Sequence, residues 1–286
     1  MNPVETSAQW LPPRPHSEPP LPPPITPDPE PAWKRVLGPL AVVAALLAKF
    51  GKVALIALKG GKFATTALSM VVSIGAYAFL FGLPFAVGFV ALLFVHETGH
   101  YIQLRREGVR SGRMIFVPLL GAVISARSFG GSALAEARVG LAGPILGSLG
   151  ALLVAIAAIV FDSDMLQALA FTGFFLNLFN LLPVVPLDGG RAMAAMAPWM
   201  WFLGLGAVVL LVFLQPNPIL VLIALFGSME VYRRWQDRKK GMDGNADYYA
   251  TPTKYRWLVG AVYVGLIVAL AVGMDLTHLV RDFSDV

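Results

Sequence analysis

The sequence predicts an all-α membrane protein, a polytopic helical bundle interrupted by one short loop of strand-like character. Three observations lead there. Hydrophobic residues make up 57% of the 286 and charged ones only 14%, with a mean hydropathy of +0.69, whereas soluble domains run near half apolar and a quarter charged. Apolar stretches recur at lengths close to the roughly 20 residues that cross about 30 Å of hydrocarbon. Lys and Arg gather in short runs beside those stretches, which is what membrane orientation requires. The net charge of +5 is thereby accounted for without nucleic acid, for which no recognition motif is present.

Taken in order, residues 1–33 hold 12 of the 22 prolines, including Pro22-Pro23-Pro24. Such a composition cannot bury enough apolar area to offset its ordering entropy. It predicts a disordered proline-rich cytoplasmic tail with polyproline II character, either a solvated leader or a docking segment for a partner. Its charges, Glu5, Glu18, Asp28 and Glu30 among them, are not those of a secretory signal peptide. Residues 34–62 alternate short apolar runs with Lys34, Lys49, Lys52, Lys59 and Lys62. They predict lysine-rich interfacial helices whose ammonium groups reach the headgroups, or else one irregular span.

Seven spans are predicted, at 64–81, 83–104, 138–161, 165–184, 199–214, 217–232 and 256–275. The pieces 199–214 and 217–232 are short enough for a tilted hairpin about Gln215-Pro216-Asn217-Pro218. Arg105, Arg106, Arg110 and Arg113 follow the second span, and Arg233, Arg234, Arg238, Lys239 and Lys240 follow the sixth. The connections at Gly82, 162–164 and 215–218 carry no Lys or Arg. The positive-inside rule then predicts a cell-membrane, multi-pass protein with a cytoplasmic N-terminus and a C-terminal tail, 276–286, outside. Between the second and third spans, 114–127 is broken by Pro118 and Gly121 and is too short to span. It predicts a re-entrant, β-hairpin-like loop, since irregular backbone at membrane depth survives only against protein or water.

The chemistry-bearing residues lie inside the apolar segments. His96 and His100, in His96-Glu97-Thr98-Gly99-His100, are four apart and share one helix face, so both imidazoles can reach one metal ion. Glu97 beside them is a general-base candidate for water. Ionisable groups within a span are costly, and their default reading is functional. With no cysteine in the chain, further ligands must be nitrogen or oxygen, and at least one more protein ligand is needed. Asp188 is the candidate. It follows Pro183 and Pro186, which break the fourth span, and precedes Gly189-Gly190, which permit a tight turn back into the bundle. Its plainer reading is an N-cap of the next helix. Asn180 is placed to stabilise an oxyanion, or to bond between helices, and Asn177 one turn earlier competes for either role. Gly121 and Val123, on the loop, are candidates for pairing with an unwound substrate segment, against the plainer reading of a membrane-dipping loop.

The sequence resembles the site-2 protease family of intramembrane metalloproteases. The resemblance rests on His96-Glu97-Thr98-Gly99-His100, on Asn180-Leu-Leu-Pro183-Val-Val-Pro186-Leu187-Asp188-Gly189-Gly190, and on the small-residue tract Leu141-Ala142-Gly143-Pro144. It covers roughly 64–195. The resemblance implies a three-span catalytic core with one zinc ion (Zn2+) per chain held by His96, His100 and Asp188, Glu97 activating water, and Asn180 positioning substrate or the oxyanion. It also implies the re-entrant hairpin, and substrates that are transmembrane segments of other proteins in the lipid bilayer, cut in regulated intramembrane proteolysis. Two departures stand out. The segment 105–137 is too short for the soluble peptide-binding domain that many relatives insert, and 233–254 reads as a basic linker.

The expected organisation is therefore a tail (1–33), interfacial helices (34–62), a catalytic core (63–195), additional transmembrane helices (196–275) and a C-terminal tail (276–286). Two rival readings remain: a metal-ion transporter, which would show polar residues along several spans and an internal repeat, and an inactive relative that binds membrane proteins as a scaffold.

Overall fold

The computed structural model describes residues 62–109, 111–118, 121–126, 131–215, 217–239 and 245–279. The predicted tail, nearly all of the lysine-rich segment and most of the C-terminal tail lie outside them. Helix α1 (Lys62–Phe81) and helix α2 (Leu83–Arg106) meet at the single residue Gly82. Its φ of 83° is one that an L side chain resists, and Pro84 in the first turn of α2 needs no amide partner there. So short a connection makes the pair antiparallel, and Tyr77 meets Phe89 edge to face at 4.9 Å.

The loop predicted to be hairpin-like does pair. Strands β1 (Ser111–Val117) and β2 (Gly121–Ala126) form an antiparallel two-stranded sheet, with Val117 opposite Gly121, Phe116 opposite Ala122, Ile115 opposite Val123 and Met114 opposite Ile124. One edge is tied to α1: the Thr66 hydroxyl donates to the Met114 carbonyl at 2.8 Å, and the Phe116 amide donates to Ser69 Oγ at 3.1 Å. Backbone groups in an antiparallel ladder alternate inward and outward, so the residues opposite these two, Ala122 and Ile124, face outward from β2. The buried side chains of Phe116 and Ile124 fasten the hairpin to α2, against Val90, Leu93 and Leu104.

Helix α3 (Ala133–Val160) begins five residues before the predicted span, because Ser132 caps it, its Oγ accepting from the Ala135 amide at 3.2 Å. Helix α4 (Asp164–Asn180) stops four residues before the predicted end. The Leu181 and Leu182 amides close back on Leu178 and Phe179, and the chain then turns through Pro183 and Pro186, which cannot continue the ladder. Helices α5 (Asp188–Met196), α6 (Met200–Leu214), α7 (Pro218–Lys239), α8 (Asn245–Tyr248) and α9 (Thr253–Thr277) follow among the described residues. The basic run 233–239, read from sequence as linker, is the last two turns of α7.

Four of these helices are long and apolar enough to cross a membrane: Ala64–Phe81, Leu83–Arg106, Ala133–Val160 and Thr253–Thr277. The other predicted spans fall short for identifiable reasons. Helix α6 is apolar but has 15 residues, α4 has 17 and carries both asparagines, and α7 takes in Glu230, Arg233 and Arg234. The protein is a multi-pass membrane protein, and its helices turn large apolar side chains outward: Phe79 is 90% exposed, Ile159 82% and Phe213 79%. Surface of that kind is stable only where lipid covers it. Inside, Leu141, Phe174, Leu181, Val185, Met193 and Leu270 form the main core, which joins α3, α4, α5 and α9 around the turn that leads to Asp188.

Candidate metal centre

The buried face of α2 presents His96, Glu97, Gly99 and His100, the three ionisable ones being 3, 7 and 5% exposed. Asp188, 6% exposed, opens α5. The N-cap position falls to Leu187 instead, so Asp188 does not cap, and its carboxylate turns toward the two histidines. Asp188 Oδ2 lies 3.1 Å from His96 Nε2 and 3.1 Å from His100 Nε2, and the two Nε2 atoms are 3.1 Å apart. Three donor atoms thus form an almost equilateral triangle, the group among the described residues with the make-up to hold a metal ion.

The far sides of both rings are fixed. His100 Nδ1 lies 2.7 Å from the Val139 carbonyl of α3, which can only accept, so Nδ1 carries the proton. His96 Nδ1 lies 2.8 Å from Asn177 Oδ1, and the Asn177 amide is oriented by its own Nδ2, which donates to the Gly173 carbonyl at 2.7 Å. That ring too holds its proton on Nδ1. In the neutral tautomers both Nε2 lone pairs are then bare and converge with a carboxylate oxygen. Three acceptors with no proton among them repel unless a cation stands between. Tetrahedral zinc with ligands at about 2.0 Å needs donor atoms about 3.3 Å apart, so the residues present fit the ion. Histidines anchored through the far nitrogen are the usual support for such ligands.

Helix α3 can come this close only because its contact face lacks side chains. A Cβ on Gly143 would stand 2.8 Å from His100 Cδ2 and nearer still to Nε2. One on Gly147 would stand 2.8 Å from Asn177 Nδ2, and one on Gly140 2.8 Å from the Asp188 carbonyl oxygen. On α2, a Cβ on Gly99 would be 2.8 Å from the carbonyl carbon of Ala142. The small-residue tract that carried part of the resemblance is where α3 meets α2, at Ala142 against Gly99 and Gly143 against His100, and Gly140 and Gly147 extend that seam to α5 and α4.

The remaining predicted residues are distributed as follows. Asn177 is spent on His96, whereas the Asn180 amide donates to Leu176 of its own helix at 3.1 Å and holds no ligand. Gly121, with φ 89°, turns the hairpin, and Val123 pairs with Ile115. Strand β2 adjoins the centre, since Ile124 packs on Val139, whose carbonyl holds His100.

Sequence reasoning missed a second buried polar cluster. Glu136, in the first turn of α3, is 2% exposed. It receives both arms of the Arg234 guanidinium, at 2.6 and 3.2 Å, and the Tyr248 hydroxyl. Burial, then the Glu136 carboxylate, hold the Tyr248 hydroxyl protonated far above its usual range. Arg234 also bonds Glu230 at 2.9 Å and lies 4.9 Å over the Trp201 ring, whose Nε1 donates to the Gly190 carbonyl at 2.6 Å. The available signal was the lone acid at the start of an apolar helix, which had to find a cation.

Comparison with known proteins agrees with this architecture. Residues 84–163, which run from α2 through α3, match the model of peptidase family M50. The zinc metalloprotease MJ0392 of Methanocaldococcus jannaschii is 29% identical, over 57% of this chain and 53% of its own length. Rip3 of Mycobacterium tuberculosis, also named as a zinc metalloprotease, is 34% identical over 41% of this chain and 31% of its own length. The chain spans about half the length of the first relative and under a third of the second. The His96–Glu97–His100 motif lies within the matched segment and the Asn180–Asp188 motif beyond its end, and over residues 84–163 this chain is similar to peptidase family M50, the site-2 protease family.

Proposed function

We propose that this protein is an intramembrane zinc metalloendopeptidase that hydrolyses peptide bonds within transmembrane segments of other membrane proteins. The observation that carries the reading is the buried triangle of His96 Nε2, His100 Nε2 and Asp188 Oδ2, 3.1 Å on each side, with both imidazoles oriented from behind. Zinc held there supplies Lewis acidity toward a carbonyl and toward water. Glu97, buried beside the first ligand, takes the proton that water gives up as its oxygen attacks the carbonyl carbon. It then delivers that proton to the departing amide nitrogen, so acid and base are one residue. Asn180 is assigned to the substrate side of the centre, where its amide would meet the developing oxyanion.

A peptide bond inside a helix is shielded, so substrate must unwind first. In our reading the hairpin dips into the membrane and its outward β2 edge, at Ala122 and Ile124, takes up the extended segment as an added strand beside Gly121 and Val123. The basic residues at the ends of α2 and α7 favour a cytoplasmic placement of that end and of the N-terminus, with cleavage near the cytoplasmic leaflet.

The test is cleavage of a panel of single-span peptides in proteoliposomes holding the purified full chain. Products should appear with wild type, vanish with Glu97→Gln, and vanish on chelation and return with zinc. Equal product from Glu97→Gln would remove the proposed base. Metal flux into the vesicles without cleavage would favour the transporter reading.

A further inference from the structure

A concavity lies outside the metal centre. It has a volume of about 350 Å3 and is lined by Pro198, Trp199, Trp201, Val231, Arg234, Trp235 and Tyr249 among others. Its floor is Trp201, 5% exposed; its walls, Trp199 and Trp235, are 61% and 43% exposed. Trp201 meets Tyr249 edge to face at 6.4 Å. None of these side chains has a part in the proposed hydrolysis, and three tryptophans and a tyrosine gathered on one face make the kind of surface on which polyproline II segments dock.

We infer that this pocket is the docking site of the chain's own proline-rich segment, residues 17–31. Chemistry, charge and reach support that occupant. The segment reads Ser17-Glu18-Pro19-Pro20-Leu21-Pro22-Pro23-Pro24-Ile25-Thr26-Pro27-Asp28-Pro29-Glu30-Pro31, with Pro19-x-x-Pro22 and Pro24-x-x-Pro27 spacings. Prolines at that spacing put one ridge of rings against flat aromatic faces at low entropic cost. It carries Glu18, Asp28 and Glu30 and no Lys or Arg, whereas the end of α7, residues 230–239, carries Arg233, Arg234, Arg238 and Lys239 against Glu230 and Asp237 and so keeps a positive balance.

The segment also joins the bundle at the right end. Arg138 in the first turns of α3 pairs with Glu107 at the end of α2 at 3.6 Å, and Glu136 pairs with Arg234 of α7. The end of α2, the start of α3 and the pocket therefore share one end, and α1, antiparallel to α2, begins there at Lys62. Residues 34–61 intervene, and even at the 1.5 Å rise of a helix they alone reach about 40 Å. The docked segment would lie on Trp201, which holds the Gly190 carbonyl two residues beyond Asp188. The tail thereby reaches the helix that carries the third donor.

The experiment uses the full chain in phosphatidylcholine nanodiscs, with Glu97→Gln so that no result depends on turnover. A photo-crosslinking amino acid replaces Ile25, and products are mapped by peptide mass spectrometry. Crosslinks should fall within one chain, on peptides containing 198–202, 231–235 or 249. They should drop about tenfold or more in a Trp199→Ala/Trp235→Ala double variant, since aromatic anchors carry most of such an interface, and free peptide 17–31 should compete them away. Both walls are exposed, so zinc content unchanged from the parent checks that the variant is folded. Crosslinks to lipid, to a second chain or to another face, or a yield the double variant leaves unaltered, would overturn the inference.

Discussion

Asn177→Ala is the perturbation that most clearly separates a designed metal centre from a chance meeting of polar side chains. Asn177 is 2% exposed, its Oδ1 stands 2.8 Å from His96 Nδ1, and its Nδ2 is committed to the Gly173 carbonyl at 2.7 Å. Alanine removes the acceptor that keeps the His96 proton on Nδ1. The ring is then able to place that proton on Nε2, the atom in the donor triangle, and to rotate. Losing such a support costs roughly 10–100-fold in metal affinity, about 1.4–2.7 kcal/mol. The Gly173 carbonyl loses a side-chain donor but lies in helix α4, so the effect on folding is expected to be the smaller one, about 1 kcal/mol. The assay is zinc affinity by competition with a calibrated chelator in detergent, alongside thermal unfolding of the apo form. Asn180→Ala is the control, because its amide bonds only its own helix at 3.1 Å. Asn177→Ala should weaken zinc binding by one to two orders of magnitude and Asn180→Ala should leave it within about twofold. Equal affinity in both variants and wild type would refute the claim that Asn177 orients a ligand.

Other outcomes follow from the same geometry. Gly143→Ala should abolish stoichiometric zinc and activity, because its Cβ would collide with the His100 ring, while Gly206→Ala, with nothing within 4 Å, should behave as wild type; elemental analysis of both checks this. Ala122→Pro should impair cleavage while zinc content stays unchanged, since proline deletes a donor from the outward edge of β2; normal cleavage would count against strand addition. Arg234→Ala should lower unfolding stability by about 3–5 kcal/mol by stranding the buried Glu136 carboxylate, measurable as a drop in Tm. Glu97→Gln should lose turnover yet retain zinc.

Much of this was legible in the sequence because the membrane simplifies it. An apolar span has one backbone solution, the helix, so the seven predicted segments all reappear as helices. The His96/His100 pair was legible because four-residue spacing on a helix fixes a shared face. Helix ends were less so: α3 starts early because Ser132 caps it and α4 ends early because two prolines follow, both matters of local hydrogen bonding. Asn177 and Asn180 could not be told apart, since they lie three residues apart and only the packing of α4 against α2 decides which meets His96. The Val139 carbonyl was beyond reach, because a backbone acceptor has no signature in residue type. Glu136 with Arg234, 98 residues apart, shows the same limit for contacts made by tertiary packing.

The central claim is that His96, His100 and Asp188 hold one metal ion and that Glu97 serves beside it without binding it. Zinc content by elemental mass spectrometry of the detergent-purified full chain tests this most directly, for wild type, His96→Ala, Asp188→Ala and Glu97→Gln. About one zinc per chain is expected in wild type and Glu97→Gln, with loss of that zinc in both ligand variants. A well-folded wild type without stoichiometric metal, or ligand variants that keep it, would contradict it.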